Sequence, residues 1–116
     1  MSRAAKSLLV FAGYVALTGT GFLLVPNILL PLLGSSTTTE PWIRVVGLLV
    51  LVLAYYYARA AGNELTEFLR WTVYGRGAVF VGFGALVVLR LAPPTLLVFG
   101  VVDLLGAIWT HTALRS

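Results

Sequence analysis

The chain contains no cysteine among its 116 residues, and it has one histidine and only four acidic residues. The absence of cysteine excludes disulfides, thiolate catalysis and cysteine-ligated metals. Charged residues make up only 10% of the chain, whereas a soluble domain carries about 25%. This number of charged residues is too small to cover a globular surface in water. The composition therefore excludes an ordinary soluble domain.

Several catalytic motifs are also absent from the sequence. There is no glycine-rich phosphate loop ending in lysine, no Gly-x-Ser-x-Gly turn and no His-Glu-x-x-His pair. His111, Glu64 and Glu67 do not have the spacing of a metal site. We therefore expect no metal and no cofactor. The sequence also argues against an enzyme, although a membrane isomerase using Asp103 and a tyrosine as acid and base stays open.

Long apolar runs occupy most of the chain, and 59% of its residues are hydrophobic. A bilayer core about 30 Å thick needs roughly 20 apolar residues for each helical crossing. The pattern predicts an all-α integral membrane protein, a single domain over residues 1–116 that forms a four-helix up-down bundle. The predicted spans are residues 5–25, 41–61, 65–91 and 95–114, with a kinked or interfacial segment at 26–34.

Breaks between the apolar runs mark the predicted helix ends. Pro26 and Pro31 interrupt the helical hydrogen-bond ladder. A polar loop follows at residues 35–39, where Thr39 before Glu40-Pro41 indicates a helix start. Short loops after the second and third spans predict antiparallel neighbours.

The junction between the second and third spans carries capping signals. Gly62-Asn63 is typical of a helix end. Asn63 is also a suitable amino-terminal cap for the third span, with Glu64 and Glu67 in its first turn.

Basic residues are unequally divided between the two predicted sides. Arg44 and Arg90 lie on one side, and the side that holds both termini carries more. This distribution predicts a membrane protein with both termini in the cytoplasm. Arg3 and Lys6 before an apolar run would also fit a signal peptide, but the run extends to Leu33, so we expect an uncleaved first span. The basic residues on the termini side are Arg3, Lys6, Arg59, Arg70 and Arg115.

Small residues recur at helical spacing on three of the spans. In membranes such residues allow helix backbones to approach closely, so we expect helix–helix contacts and a homo-oligomer. The stripes are Gly47, Ala54, Ala58 and Ala61 on the second span, Gly75, Ala78, Gly82 and Ala85 on the third, and Gly100, Gly106 and Ala107 around Asp103 on the fourth.

Asp103 is the most informative residue because it lies near the middle of the fourth span. An ionised carboxylate at that depth costs at least about 2.5–3.5 kcal/mol, so we expect a neutral acid or a cation partner. Arg76 and Arg44 each lie about 9 Å away along the helix axis. Either could pair with Asp103, and the alternative is a proton-titrating or ligand-binding acid.

Aromatic and cationic side chains suggest a ligand site around this acid. The tyrosines and Arg76 fit an aromatic belt near the membrane interface, or a polar pocket for an anionic or quinone-like headgroup. The candidate ligand-binding residues are Asp103, Arg76, Tyr55, Tyr56, Tyr74 and Arg44.

Three segments carry a family resemblance: residues 40–47 with the tyrosines at 55–57 behind them, residues 70–76 and residues 99–106. They resemble small bacterial four-helix membrane proteins, and the layout is similar to the DoxX-like group, some of which accompany membrane redox systems. The resemblance implies a four-helix fold in a bacterial inner membrane and an accessory, ligand-binding or quinone-related role. It carries no catalytic residue over, because no functional motif of that group is matched.

Two functions follow as hypotheses. The first is a non-enzymatic module that binds a hydrophobic, quinone-like or lipid-like molecule or a larger membrane partner. The second is a proton-coupled small transporter, because four spans in so short a chain resemble the small multidrug resistance family. That family uses a membrane-embedded acid in its first span, whereas here Asp103 is in the fourth. No pattern in the sequence indicates nucleic-acid binding.

Overall fold

The computed structural model describes residues 1–32, 37 and 40–115. Over these residues the chain forms helices and no strand, which confirms the all-α prediction. The predicted capping Thr39, most of the polar loop at 35–39 and the end of the kinked segment lie outside the described residues. The helices are α1 (Arg3–Leu24), α2 (Pro26–Leu32), α3 (Trp42–Gly62), α4 (Thr66–Val88) and α5 (Leu96–Arg115).

Four of these helices are long enough and apolar enough to cross a membrane: α1, α3, α4 and α5, with 20 to 23 residues each. At 1.5 Å per residue they are about 30–35 Å long. The short α2 begins at Pro26, where proline suits a first helical position, and covers residues 26–32 of the predicted kinked segment. The helical part of the prediction is therefore confirmed, with bounds that differ by up to three residues.

The four long helices alternate in direction. Ser7 near the start of α1 bonds to Thr110 near the end of α5, and Phe22 near the end of α1 contacts Phe99 near the start of α5. Leu69 in the first turn of α4 packs against the start of α1 and the end of α3. We call the end of the bundle that holds residues 2–8, 57–72 and 107–115 the termini end.

The packing order around the bundle is α3, α1, α5 and α4. Helix α1 packs mainly against α3 and also against α5, while α4 packs against α5. Helices α3 and α4 are consecutive and antiparallel, yet they contact each other little. Tyr57 and Phe68 meet at the termini end with ring centroids 6.1 Å apart. The short loop therefore sets direction without making α3 and α4 packed neighbours, and a gap separates them.

Close packing of α1 on α3 depends on two glycines. A Cβ atom built on Gly47 would lie 2.6 Å from the Leu23 nitrogen and 2.7 Å from the Gly19 oxygen. The backbones therefore touch at this crossing, as the small-residue pattern of the second span predicts. Ala54 and Ala61 on the same helix are also buried.

The small-residue stripe on α4 behaves differently. Gly75, Ala78, Gly82 and Ala85 are all exposed, and a Cβ atom on Gly75 or Gly82 would meet nothing within 4 Å. The expectation of contacts at this stripe is wrong for the single chain. The reason is that α4 turns another face, with Thr72 and Arg76, toward α5.

The turn between α3 and α4 also differs from its prediction. The Asn63 side-chain amide donates to the Arg59 carbonyl at 2.8 Å, so Asn63 closes α3 and does not cap α4. Glu64 has a left-handed backbone with φ of 53° and precedes the helix. Only Glu67 of the two predicted acids lies in the first turn of α4, where it pairs with Arg70 at 2.9 Å.

Glu64 fixes the amino terminus at this turn. Its carboxylate accepts a hydrogen bond from the Ser2 backbone N–H and lies 3.8 Å from the terminal amine. The Ser2 hydrogen bond lowers the pKa of the Glu64 carboxyl below its ordinary value. This contact ties the start of α1 to the start of α4 at the termini end.

Large apolar side chains cover the outside of the bundle. Leu17 is 77% exposed, Val81 72% and Val88 79%. Soluble monomers rarely expose contiguous apolar patches larger than a few hundred Å². The longest dimension of the bundle is 43 Å, close to the 40–45 Å of a bilayer with its headgroups.

Candidate functional site

The gap between α3 and α4 leads into a cavity of about 570 Å³. Helices α3 and α4 form its walls, and α1 and α5 close it from behind. Ligand sites typically measure 300–1,000 Å³ and are mostly apolar with a few placed polar groups. This cavity has that character. Its polar lining residues are Tyr14, Thr18, Tyr57, Arg76, Thr95 and Asp103, and its apolar lining includes Val46, Val50, Leu53, Val79, Phe83, Leu96 and Phe99.

Arg76 and Tyr57 line the part of the cavity nearer the termini end, whereas the polar lining residues Thr18 and Thr95 lie nearer the opposite end. At 1.5 Å per residue, Arg76 lies about 18 Å from the end of α4, and Tyr57 lies about 22 Å from the start of α3. Both of these helix ends are at the side of the bundle opposite the termini end. Asp103 lies about 10 Å from the start of α5 on the same scale. Leu96 and Phe99 form the apolar part beyond it. Arg76, Tyr57 and Asp103 can contact the polar head of an elongated molecule, and Leu96 and Phe99 can contact its apolar remainder.

Arg76 is the most buried charged residue, with 1% of its surface exposed. Its Nη2 donates to the Thr110 hydroxyl at 2.8 Å and to the Thr72 hydroxyl at 3.2 Å. The Thr110 hydroxyl in turn lies 2.6 Å from that of Ser7. Because these residues belong to α1, α4 and α5, the hydrogen bonds join three helices behind the cavity.

The guanidinium of Arg76 is held by packing as well as by hydrogen bonds. Its central carbon lies 4.7 Å from the centroid of the Phe11 ring, a cation–π geometry. Gly106 makes room for it, since a Cβ atom there would lie 3.0 Å from Nη1. Phe11 also stacks on Tyr14 and Tyr57, with ring centroids 5.6 and 6.0 Å away.

One of the three guanidinium nitrogens of Arg76 makes no hydrogen bond to any residue that the structure describes. Nη1 is buried and has no hydrogen-bond partner among the described residues. A buried donor without a partner is unfavourable and uncommon. Protein atoms cover Nη1 in this structure.

Asp103 lies on the cavity wall and is half-buried. In the part of the chain that the structure describes, no cation lies within 4.0 Å of its carboxylate. The expected ion pair with Arg76 does not form, because the guanidinium is directed toward the hydroxyls of Thr72 and Thr110. Asp103 and Arg76 therefore both line the cavity without a salt bridge between them.

Arg44 does not pair with Asp103 either. Its Nη1 donates to the Leu23 carbonyl at 2.5 Å, at the carboxyl end of α1. The last carbonyls of a helix lack helical partners, so Arg44 satisfies one of them. Arg44 is thus part of the α1–α3 contact and does not line the cavity.

The predicted tyrosines point away from the cavity. Tyr55, Tyr56 and Tyr74 are 55%, 57% and 74% exposed, and none of them lines it. Successive residues of a helix point about 100° apart, and at this position Tyr57 faces inward. Tyr57 and Tyr14 therefore supply the phenol groups of the site.

Ser7, Phe11, Tyr14 and Thr110 also belong to the site, and sequence reasoning missed them as site residues. The available signal was weak: a hydroxyl in an apolar helix can bond to a neighbouring helix. Thr110 lies two turns beyond Asp103 on the same face. A pairing between Thr110 and Ser7 cannot be predicted without knowing that α1 lies beside α5.

Comparison of the chain with protein-family models, curated proteins and solved structures found no match. The similarity to the DoxX-like group therefore stays an expectation. Among the described residues, no three histidine, aspartate or glutamate side chains are grouped so that they could hold a metal ion.

Proposed function

We propose that this chain is an integral membrane protein that binds a lipophilic small molecule with a polar head in the cavity between α3 and α4. The observation that carries the proposal is the cavity itself, a mostly apolar space with Arg76 and Asp103 on its wall. Membrane placement is supported by four apolar helices of sufficient length and by their exposed apolar side chains.

The polar lining narrows the class of ligand. Arg76 and the phenols of Tyr14 and Tyr57 can donate hydrogen bonds, while Asp103 can accept one. Because a carboxylate and a guanidinium cation both line the cavity, a neutral head with an acceptor oxygen suits it better than a strongly charged group. Quinones, quinols and long-chain alcohols or acids in their neutral form have this chemistry.

The gap between α3 and α4 supports entry from the bilayer. Its walls carry Leu53 and Val79, and it opens to the side of the bundle, where acyl chains would surround the protein. A lipophilic molecule could then enter without crossing water. Both termini would lie in the cytoplasm of a bacterial inner membrane, because five basic residues lie at the termini end. The expected homo-oligomer, or a larger membrane partner, remains a prediction.

Photoaffinity labelling tests the ligand site. The probe is a benzoquinone with a decyl chain that carries a diazirine, added to the protein in phosphatidylcholine nanodiscs. Peptide mapping should place the label on cavity residues such as Phe83 and Phe99. Val79→Phe fills the cavity and should reduce labelling about tenfold or more, the effect of about 1.4 kcal/mol. Val81→Phe makes the same change on the outer face of α4 and should label normally. Equal labelling of both variants would contradict the proposal.

A proton-coupled transporter is the second candidate, and the unpaired Asp103 on the cavity wall favours it. A half-buried carboxylate without a cation partner can exchange its proton with the cavity. Asp103→Asn should then abolish proton-linked substrate flux in proteoliposomes while leaving the helix content unchanged. A variant that still couples flux to protons would exclude this function, and loss of probe binding alone would favour the binding module.

A further inference from the structure

A second pocket, of about 380 Å³, lies at the termini end between the start of α1 and the end of α5. It is lined by Arg3, Lys6, Trp109, Thr112 and Ala113, and it shares no residue with the cavity. Its position at the end of the helices differs from that of the cavity, which opens between α3 and α4. The pocket therefore needs its own explanation.

The positive charge in this pocket has no counter-ion in the described portions of the chain. Glu64 is engaged with Ser2 and the terminal amine, and Glu67 pairs with Arg70. Arg3 and Lys6 form no salt bridge within 4.0 Å there. They stand three residues apart on α1, so they share a face and repel each other. An anion between them would relieve that repulsion.

Trp109 forms the opposite wall and is 47% exposed. Tryptophan concentrates at the headgroup level of membranes, where its ring meets both apolar and polar groups. Its indole N–H can donate a hydrogen bond. The pocket thus combines two cations with an aromatic ring at the termini end of the bundle.

We propose that this pocket binds the headgroup of an anionic phospholipid. Arg3 and Lys6 pair with the phosphate, since guanidinium and ammonium groups form charge-assisted hydrogen bonds with phosphate oxygens. Trp109 packs against the glycerol region. Basic pockets on the cytoplasmic side of membrane helices bind anionic lipids in this way. The proposal rests on the membrane placement proposed above and does not depend on the ligand of the cavity.

Native mass spectrometry with added phosphatidylglycerol or phosphatidylcholine tests this site. The double variant Arg3→Gln/Lys6→Gln should bind phosphatidylglycerol about 10–30-fold more weakly, because each basic residue near a membrane surface contributes about fivefold. Arg59→Gln/Arg115→Gln removes the same charge from the same end, outside the pocket, and should bind almost normally. The exchange Arg3→Lys/Lys6→Arg keeps both charges and should bind as the wild type does.

Three results would overturn the site. If Arg3→Gln/Lys6→Gln and Arg59→Gln/Arg115→Gln weaken phosphatidylglycerol binding equally, the lipid is attracted by the positive surface in general and not by this pocket. Displacement of phosphatidylglycerol by equimolar inorganic phosphate would identify a site for free anions. Equal binding of phosphatidylcholine would exclude recognition of the anionic headgroup. A protein that does not enter nanodiscs would contradict the membrane placement and this site together, whereas each of the three results above leaves that placement intact.

Discussion

The crossing of α1 and α3 makes a sharp prediction for Gly47→Ala. The new Cβ atom would lie 2.6 Å from the Leu23 nitrogen, 2.7 Å from the Gly19 oxygen and 3.0 Å from the Phe22 carbonyl carbon. Ordinary contacts with a Cβ atom begin at 3.4 Å. All three neighbours are backbone atoms, so no side-chain rotation can relieve the overlap and the helices must separate.

If α1 and α3 move apart by roughly 1 Å, the contacts between them lose a quarter to a half of their dispersion attraction. Overpacking of this kind costs about 1–3 kcal/mol. Gly82→Ala is the matched control, because Gly82 is also inside a long helix and its Cβ atom would meet nothing within 4 Å. Both variants gain the same helix propensity from alanine, so their difference isolates the overlap.

The assay is unfolding in mixed micelles as the fraction of dodecyl sulfate rises, followed by far-ultraviolet circular dichroism. Gly47→Ala should be less stable than Gly82→Ala by about 1–3 kcal/mol. It should also reduce probe binding, since Val46 and Val50 flank Gly47 and line the cavity. A Gly47→Ala variant as stable as Gly82→Ala would refute the close approach of α1 and α3.

Three further predictions concern the hydrogen bonds and the topology. Thr110→Val removes the acceptor of the Arg76 Nη2 bond and should destabilise the bundle by about 1.5–3 kcal/mol, the range for hydrogen bonds to charged groups, in the same unfolding assay. Folding lowers the pKa of Glu64 from 4.5, so its contribution is present above that pH and is lost as the pH falls through the folded value. Glu64→Gln should therefore be less stable than the wild type at pH 7 and equal to it in strong acid, as thermal unfolding at several pH values would show; a difference that persists in acid would contradict the contact. Ser2→Cys should be protected from an impermeant maleimide in intact cells while Leu91→Cys is labelled, and the reverse pattern would contradict the proposed orientation.

The long helices could be predicted from sequence because apolar runs and their breaks are local signals. Pro26 and Gly62 each mark a helix boundary within two residues of the structure. The helix face of Asp103 was also predictable, since Gly100 and Ala107 share it and both are buried. These features depend on the helical repeat of a single segment.

The details of the site could not be predicted because they depend on how helices meet. Three consecutive tyrosines cannot reveal which one faces inward, and the structure turns Tyr57 to the cavity. Depth alone suggested that Arg76 pairs with Asp103, yet the guanidinium reaches the Thr110 hydroxyl on the termini side. The exposed position of Gly82 on α4 follows from the α4–α5 contact, which no local pattern in the sequence indicates.

Native mass spectrometry of the protein released gently from its own membranes tests whether the cavity holds a ligand. We expect a small molecule of discrete mass on the wild type and on Val81→Phe, and its absence from Val79→Phe. Wild-type protein that carries only bulk phospholipid, or a small molecule that remains bound to Val79→Phe, would contradict a ligand site in the cavity between α3 and α4.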